Sequence, residues 1–204
     1  MKNLFIFCLF LFTCQSVFAQ KFSFGMKGGA NYYDWYYSNI KYQRTNNLSQ
    51  PYYTDWFKAL VGGELGVTAK QNIAKRFSLN EEVLFAIRNV KNTYFGTQKN
   101  LYLAVPIFVS YNFYKPLSLD LGGEYSRLID TNVPYAKQFF DDYNFYNGMI
   151  GLRYSFLEHF NVHARYVHTF NKISEITWND FNAEPIGISK LRSRTFNLSV
   201  GYNF

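Results

Sequence analysis

Three histidines carry the widest range of chemistry available to this chain: His159, His163 and His168. A shared metal site needs two imidazoles on one side of an element. His163 and His168 are five positions apart, which on an extended strand places them on opposite faces, so the three read as separate polar positions and no metal site is expected. Asp130, Asp141, Asp142, Asp180 and Glu184 fall in polar stretches whose spacing fits no compact calcium loop, and they read as solvated charges. A second set is more ordered. Lys27, Glu64, Glu82, Asp120, Glu124, Arg153 and Arg165 occupy the polar parity of alternating segments. Charges of both signs on one face suit either an ion or proton path or a structural network in which buried charges satisfy one another, and the network is the expected arrangement. A third group, Tyr32, Tyr36, Tyr52 and Tyr53, lies in a polar-aromatic stretch. Tyrosine offers a large amphipathic contact area for a glycan or protein partner, or equally for a membrane interface.

The composition bounds what can hold these residues. At 204 residues the chain makes one domain. Aromatics are 21%, with 18 Tyr and 22 Phe, while mean hydropathy is only -0.21. Such a chain alternates polar with apolar positions instead of running apolar. Residues 1–19 combine Lys2, an apolar run and Val17-Phe18-Ala19, the layout of a secretory signal peptide cleaved after Ala19; residues 20–204 form the domain. A lipid attachment through Cys14 fits poorly with Phe12-Thr13 before it. Both cysteines, Cys8 and Cys14, lie in that leader, so disulfides and thiolate sites are excluded from the domain. The net charge of +7 is dispersed, and nucleic acid is not an expected partner of an exported chain.

Period-two alternation predicts eight strands, at residues 21–31, 57–69, 77–88, 101–113, 117–129, 144–156, 160–170 and 193–204. The last alternates Phe196, Leu198, Val200, Tyr202 and Phe204 with Asn197, Ser199, Gly201 and Asn203. Connections alternate long and short, with a large first loop at 32–56 and others at 89–100, 130–143 and 171–192. The short ones, near 71–76, 114–116 and 157–159, include Tyr114-Lys115-Pro116, where proline presets a turn. The fold class is therefore all-β, an eight-stranded antiparallel up-and-down barrel with short turns on one rim and longer loops on the other.

Alternation alone does not say which face is inside. A soluble, lipocalin-like ligand-binding barrel turns its apolar face inward; a transmembrane barrel turns it toward lipid. Two features favour the membrane. The polar parity carries the mixed charges above, and aromatics collect at strand ends (Phe22, Phe77, Tyr111, Phe113, Tyr125, Tyr154, Phe156, Phe160, Tyr202, Phe204), where interfacial girdles sit. Glu81 and Glu82 are adjacent, so one must leave the interior, at a bulge or at a shallow depth. Pro106 removes a ladder donor and is tolerable at an irregular pairing.

The stretches Phe22-Ser23-Phe24-Gly25-Met26-Lys27-Gly28-Gly29-Ala30-Asn31, Phe77-Ser78-Leu79-Asn80-Glu81-Glu82-Val83-Leu84, Leu103-Ala104-Val105-Pro106, Ala164-Arg165-Tyr166 and the closing 196–204 resemble the PorT-type outer-membrane β-barrel proteins of the Bacteroidetes, also labelled porin family. The resemblance implies an outer-membrane location and a closing strand that pairs with the first and is read by the barrel-insertion machinery. It implies no reaction. It does suggest an accessory role in envelope transport or secretion as an alternative to a structural or surface-interaction role. Relatives often carry an acid where this chain has Ala104; if that acid serves a lumenal arginine, Glu82 or Glu124 must serve Arg153 and Arg165 here. Residues 165–171 faintly resemble the His-x-Ser-Asn site of outer-membrane lipid A deacylases, but Phe170 stands where the nucleophilic serine belongs. The expectation is a non-enzymatic barrel with no cofactor, a filled lumen, outer-membrane lipids as neighbours, and a possible protein or glycan partner at the extracellular loops.

Overall fold

The computed structural model describes residues 22–42, 56–179 and 185–204. The proposed leader, Tyr52, Tyr53, Asp180 and Glu184 lie outside the described residues. The strands are β1 (Phe22–Tyr42), β2 (Phe57–Ala74), β3 (Phe77–Asn92), β4 (Gly96–Tyr114), β5 (Leu117–Thr131), β6 (Asn144–Phe156), β7 (Phe160–Thr169), β8 (Ser174–Asn179) and β9 (Pro185–Asn203), with a single helical turn α1 (Ala136–Phe139) between β5 and β6.

From β1 to β7 each strand pairs antiparallel with the next, and β1 pairs with β9 from Gly25↔Asn203 to Tyr42↔Gly187, which closes the sheet. β7 lines one edge of β9 from Phe160↔Tyr202 to His168↔Arg194, and β8 continues along that edge from Ser174↔Leu191. The two are one column of the barrel, interrupted at residues 170–173. The result is a closed eight-stranded antiparallel barrel.

Several strands run past the limits that alternation sets. β1 continues through the stretch expected to be a loop, because Tyr33 and Trp35 keep the inward parity of Lys27 and Asn31 and are buried with them. The expected loop at 89–100 contracts to the turn 93–95, capped by Asn92, whose Oδ1 accepts from the Tyr94 and Phe95 amides at 2.8 and 3.1 Å. Within the expected last loop, β8 pairs with the first part of β9.

The faces are sorted by height. In the half next to the short turns, outward positions are apolar and exposed, as at Phe24, Leu65 and Leu121, each 62% exposed. Inward positions are polar and buried, as at Lys27 (1%), Glu82 (2%) and Asp120 (1%). This is the arrangement lipid demands, and it is the opposite of the soluble ligand-binding alternative. In the other half the sorting reverses. Tyr33, Trp35, Val90, Tyr102, Leu128, Phe145 and Leu191 point inward and are buried, with Val133, Phe140 and Ile173 from the connections packed among them, while Asp34, Lys91, Lys99, Arg127 and Arg194 sit on the outer parity.

Glu81 faces outward, partly exposed, opposite Ala69 and Ile107 with no register shift there. No bulge separates the adjacent acids: Glu82 keeps the inward parity and is buried, and Glu81 takes the outer face. The β3–β4 register continues unshifted past Pro106.

Candidate functional site

Because strand parity sends every second side chain inward, the polar positions converge on the barrel axis in tiers. Nearest the short turns, Arg153 from β6 donates from Nη2 to Asp120 Oδ2 at 3.0 Å and to Ser110 Oγ at 3.2 Å, and from Nη1 to Asn80 Oδ1 at 3.1 Å. Ser110 in turn donates to Asp120 Oδ1 at 2.6 Å. His163 Nδ1 lies 4.0 Å from the same carboxylate, whereas His168 is on the outer parity beside Tyr36.

The middle tier centres on Glu82 of β3. Arg165 grips it with both terminal nitrogens at 3.0 Å, a bidentate pair, and Lys27 donates to Oε2 at 2.9 Å with Glu64 3.6 Å away. Phe108 lies inward between the tiers, with the Arg165 and Arg153 guanidinium carbons 4.8 and 5.4 Å from its ring centre. Inward-facing Gly122 on the neighbouring strand permits the close approach of the two strands there, since a Cβ would collide with the Phe108 Cα and Cβ and the Ile107 carbonyl. In the upper tier Arg88 donates to Glu124 Oε1 at 2.7 Å, and Asn147 donates to the same oxygen at 3.1 Å. The Arg88 guanidinium lies 5.0 Å from the Tyr102 ring, which begins the aromatic layer.

In that layer Tyr33 and Tyr102 share a hydroxyl–hydroxyl hydrogen bond of 3.2 Å. Trp35 meets Phe57 edge-on at 5.1 Å and stacks on Phe139 of α1 at 5.6 Å. Ile173, in the interruption between β7 and β8, accepts from the Asp141 amide and donates to the Leu191 carbonyl, tying the α1 connection to β9.

All seven charges expected inside are buried there and linked. Glu82 serves Arg165, as expected; the other two pairs differ from the expectation, with Asp120 serving Arg153 and Glu124 serving Arg88. The extra carboxylate comes from β5, so the buried Ala104 leaves neither Arg153 nor Arg165 without an acid. Arg88 and the aromatic layer were missed by sequence reasoning; the signal was parity, which Val90 and Asn92 carry on from Arg88 and Tyr102 shares with Ala104. Tyr32 and Tyr36 are on the outer parity of β1, with Tyr36 beneath the Arg194 guanidinium at 5.3 Å, and Arg194 bonds Asp34 at 2.8 and 2.9 Å. Among the described residues no group of three His, Cys, Asp or Glu is placed to hold a metal ion.

The family model described as outer membrane protein beta-barrel domain matches residues 5–204. Similar solved structures include the outer membrane protein OprG from Pseudomonas aeruginosa, 18% identical over 91% of this chain and 97% of that one, with a TM-score of 0.47. Ail, the attachment invasion locus protein of Yersinia pestis, solved with the heparin analogue sucrose octasulfate, is 11% identical over 90% and 99%, TM-score 0.47. Neisserial surface protein A is 14% identical over 90% and 99%, TM-score 0.47. No match was found among curated proteins.

Proposed function

The chain belongs to the outer membrane protein β-barrel domain family, and from that premise we propose that it is a closed, non-enzymatic barrel with a filled lumen, whose role is structural or surface-interactive at the extracellular rim. The observation that carries the proposal is the stacking, along one axis, of three ion-pair tiers beneath a buried aromatic layer. Eight strands leave an interior that side chains can fill, and displacing these would break paired buried charges. Planar-bilayer recording of the purified protein tests it: a silent or leak-level bilayer is expected, and stable, large conductance steps would overturn the reading.

Surface interaction is assigned to the aromatics of the first hairpin, Tyr32 and Tyr36 together with Tyr52 and Tyr53. Replacing the four by serine should reduce cell-surface binding to glycan or protein arrays while the folded yield stays near normal. Loss of folding alone would make them interfacial anchors instead. The likeness of the strand motifs to PorT-type barrels supports a second reading, an accessory role in an envelope transport or secretion system, which cross-linking in the intact envelope would favour by recovering one partner.

A further inference from the structure

The rim of short turns holds a cationic groove of about 490 Å³. Lys75 and Arg76 from the β2–β3 turn and Lys115 from the β4–β5 turn line it, with Asn112, Ser118 and Ser155 from the adjoining strands and Phe113 and Tyr114 at its side. The turns are fixed against neighbouring strands by backbone hydrogen bonds, Asn112 N–H to the Arg76 carbonyl at 2.8 Å and Ser155 N–H to the Pro116 carbonyl at 3.0 Å. The three cations are thus held as a set.

Charge on this rim is not balanced. At the opposite rim Arg194 pairs with Asp34, and Lys172 with Asp141 and Glu175. Among the described residues no carboxylate lies within ion-pair distance of Lys75, Arg76 or Lys115, and the short turns contain one acid, Glu158, in the third turn. The depth is set independently by the aromatics. Phe77 packs on Tyr111 at 5.0 Å, Tyr154 stacks on Phe156 at 6.4 Å, and Phe113 is 46% exposed on the outer face. Rings of this kind sit where acyl chains meet headgroups, so the groove lies at the level of lipid phosphates.

We propose that this groove binds the phosphate group of an anionic phospholipid from the leaflet facing the short turns. Arg76 offers a planar fork to the phosphate oxygens, Lys75 and Lys115 add point charges, and Phe113 and Tyr114 flank the glycerol and upper acyl chain. The site depends on the membrane orientation of the short turns and is independent of whether the lumen is closed.

The test is native mass spectrometry of the full-length protein, folded in detergent with equal amounts of dimyristoyl phosphatidylglycerol and dimyristoyl phosphatidylcholine. Retention of phosphatidylglycerol over phosphatidylcholine is expected, falling roughly tenfold or more in K75S/R76S/K115S, since each basic residue near an anionic surface contributes comparably. K75R/R76K/K115R and the opposite-rim variant K91S/K99S should retain it. A heat-dependent gel shift shows that each variant is folded; if the triple variant is not, the single variant K115S must still show a several-fold loss. Equal retention of the two lipids, an equal loss in K91S/K99S, or displacement of phosphatidylglycerol by millimolar inorganic phosphate would overturn the proposal.

Discussion

Glu82 offers both carboxylate oxygens to the Arg165 fork and shares Oε2 with the Lys27 ammonium, and all three side chains are almost fully buried. In such a cluster the cost of desolvation is met only while every charge keeps its partner, so removing one member costs more than the pair contributes. Arg165→Met should therefore destabilise the barrel by about 3–5 kcal/mol, read as a lower temperature for the heat-dependent gel shift. The double variant R165M/E82M should lose less than the single one; an equal or greater loss would show that the cluster does not act as a unit. Parity made these inward charges legible in the sequence. Their pairing was not, because parity assigns a face and not a height. Asp120 and Glu124 share the inner face of β5 four positions apart, and only the stagger of neighbouring strands decides that one meets Arg153 and the other Arg88.

β1 shows where the limits of an element become hard to read. Its alternation holds from Phe22 onward, but at Tyr32 both parities turn aromatic and the apolar–polar contrast fades. The strand continues because Tyr33 and Trp35 gain a core of Phe57, Tyr102, Phe139 and Phe140 brought from distant segments, a tertiary gain outside any local window. Trp35→Ala should cost about 3–5 kcal/mol and expose the α1 connection to proteolysis between residues 132 and 143 while leaving the membrane-embedded half protected. Unchanged cleavage there would detach α1 from this core. β8 carries a charge cluster in which Lys172 lies 3.0 Å from Asp141 and 2.9 Å from Glu175. The Lys172 hydrogen bond lowers the Glu175 carboxyl below its ordinary value of 4.5, and the bonds to Glu175 and Asp141 raise the Lys172 ammonium above 10.5. The depressed acid supports the contact above pH 4.5 and gives it up as pH falls further; the raised ammonium supports it below 10.5 and gives it up as pH rises. Proton exchange of the β8 amides should stay uniform between those limits after correction for intrinsic rates and accelerate below the lower one. A Glu175 titration at or above 4.5 would contradict this.

The whole molecule applies two opposite sorting rules to one sheet, and each can be tested by its own substitution. Leu121→Arg, on the outer face of the half next to the short turns, should cost about 2–4 kcal/mol if it lies near the bilayer centre, measured by urea unfolding in phospholipid vesicles. Arg127→Leu, on the same face of β5 above the reversal, should change stability little; similar effects at both positions would remove the boundary between them. Closure, antiparallel order and the lipid-facing parity were legible because they follow from period two and turn spacing. The reversal was not, since it appears only when strands are stacked at their true stagger and Asp34, Arg127 and Arg194 are seen to share a level. That reversal makes the barrel a ruler. On β1 the outward apolar run from Phe22 to Tyr32 covers ten residue steps, about 25 Å of height at a strand rise of about 3.3 Å and a tilt of about 40°. Asp34 follows directly on the same face, so a thicker hydrocarbon slab must thin around the protein or draw a carboxylate and its arginine inside. The molecule is thereby matched to a thin membrane, and its insertion into dilauroyl phosphatidylcholine vesicles should be faster and more complete than into dioleoyl ones.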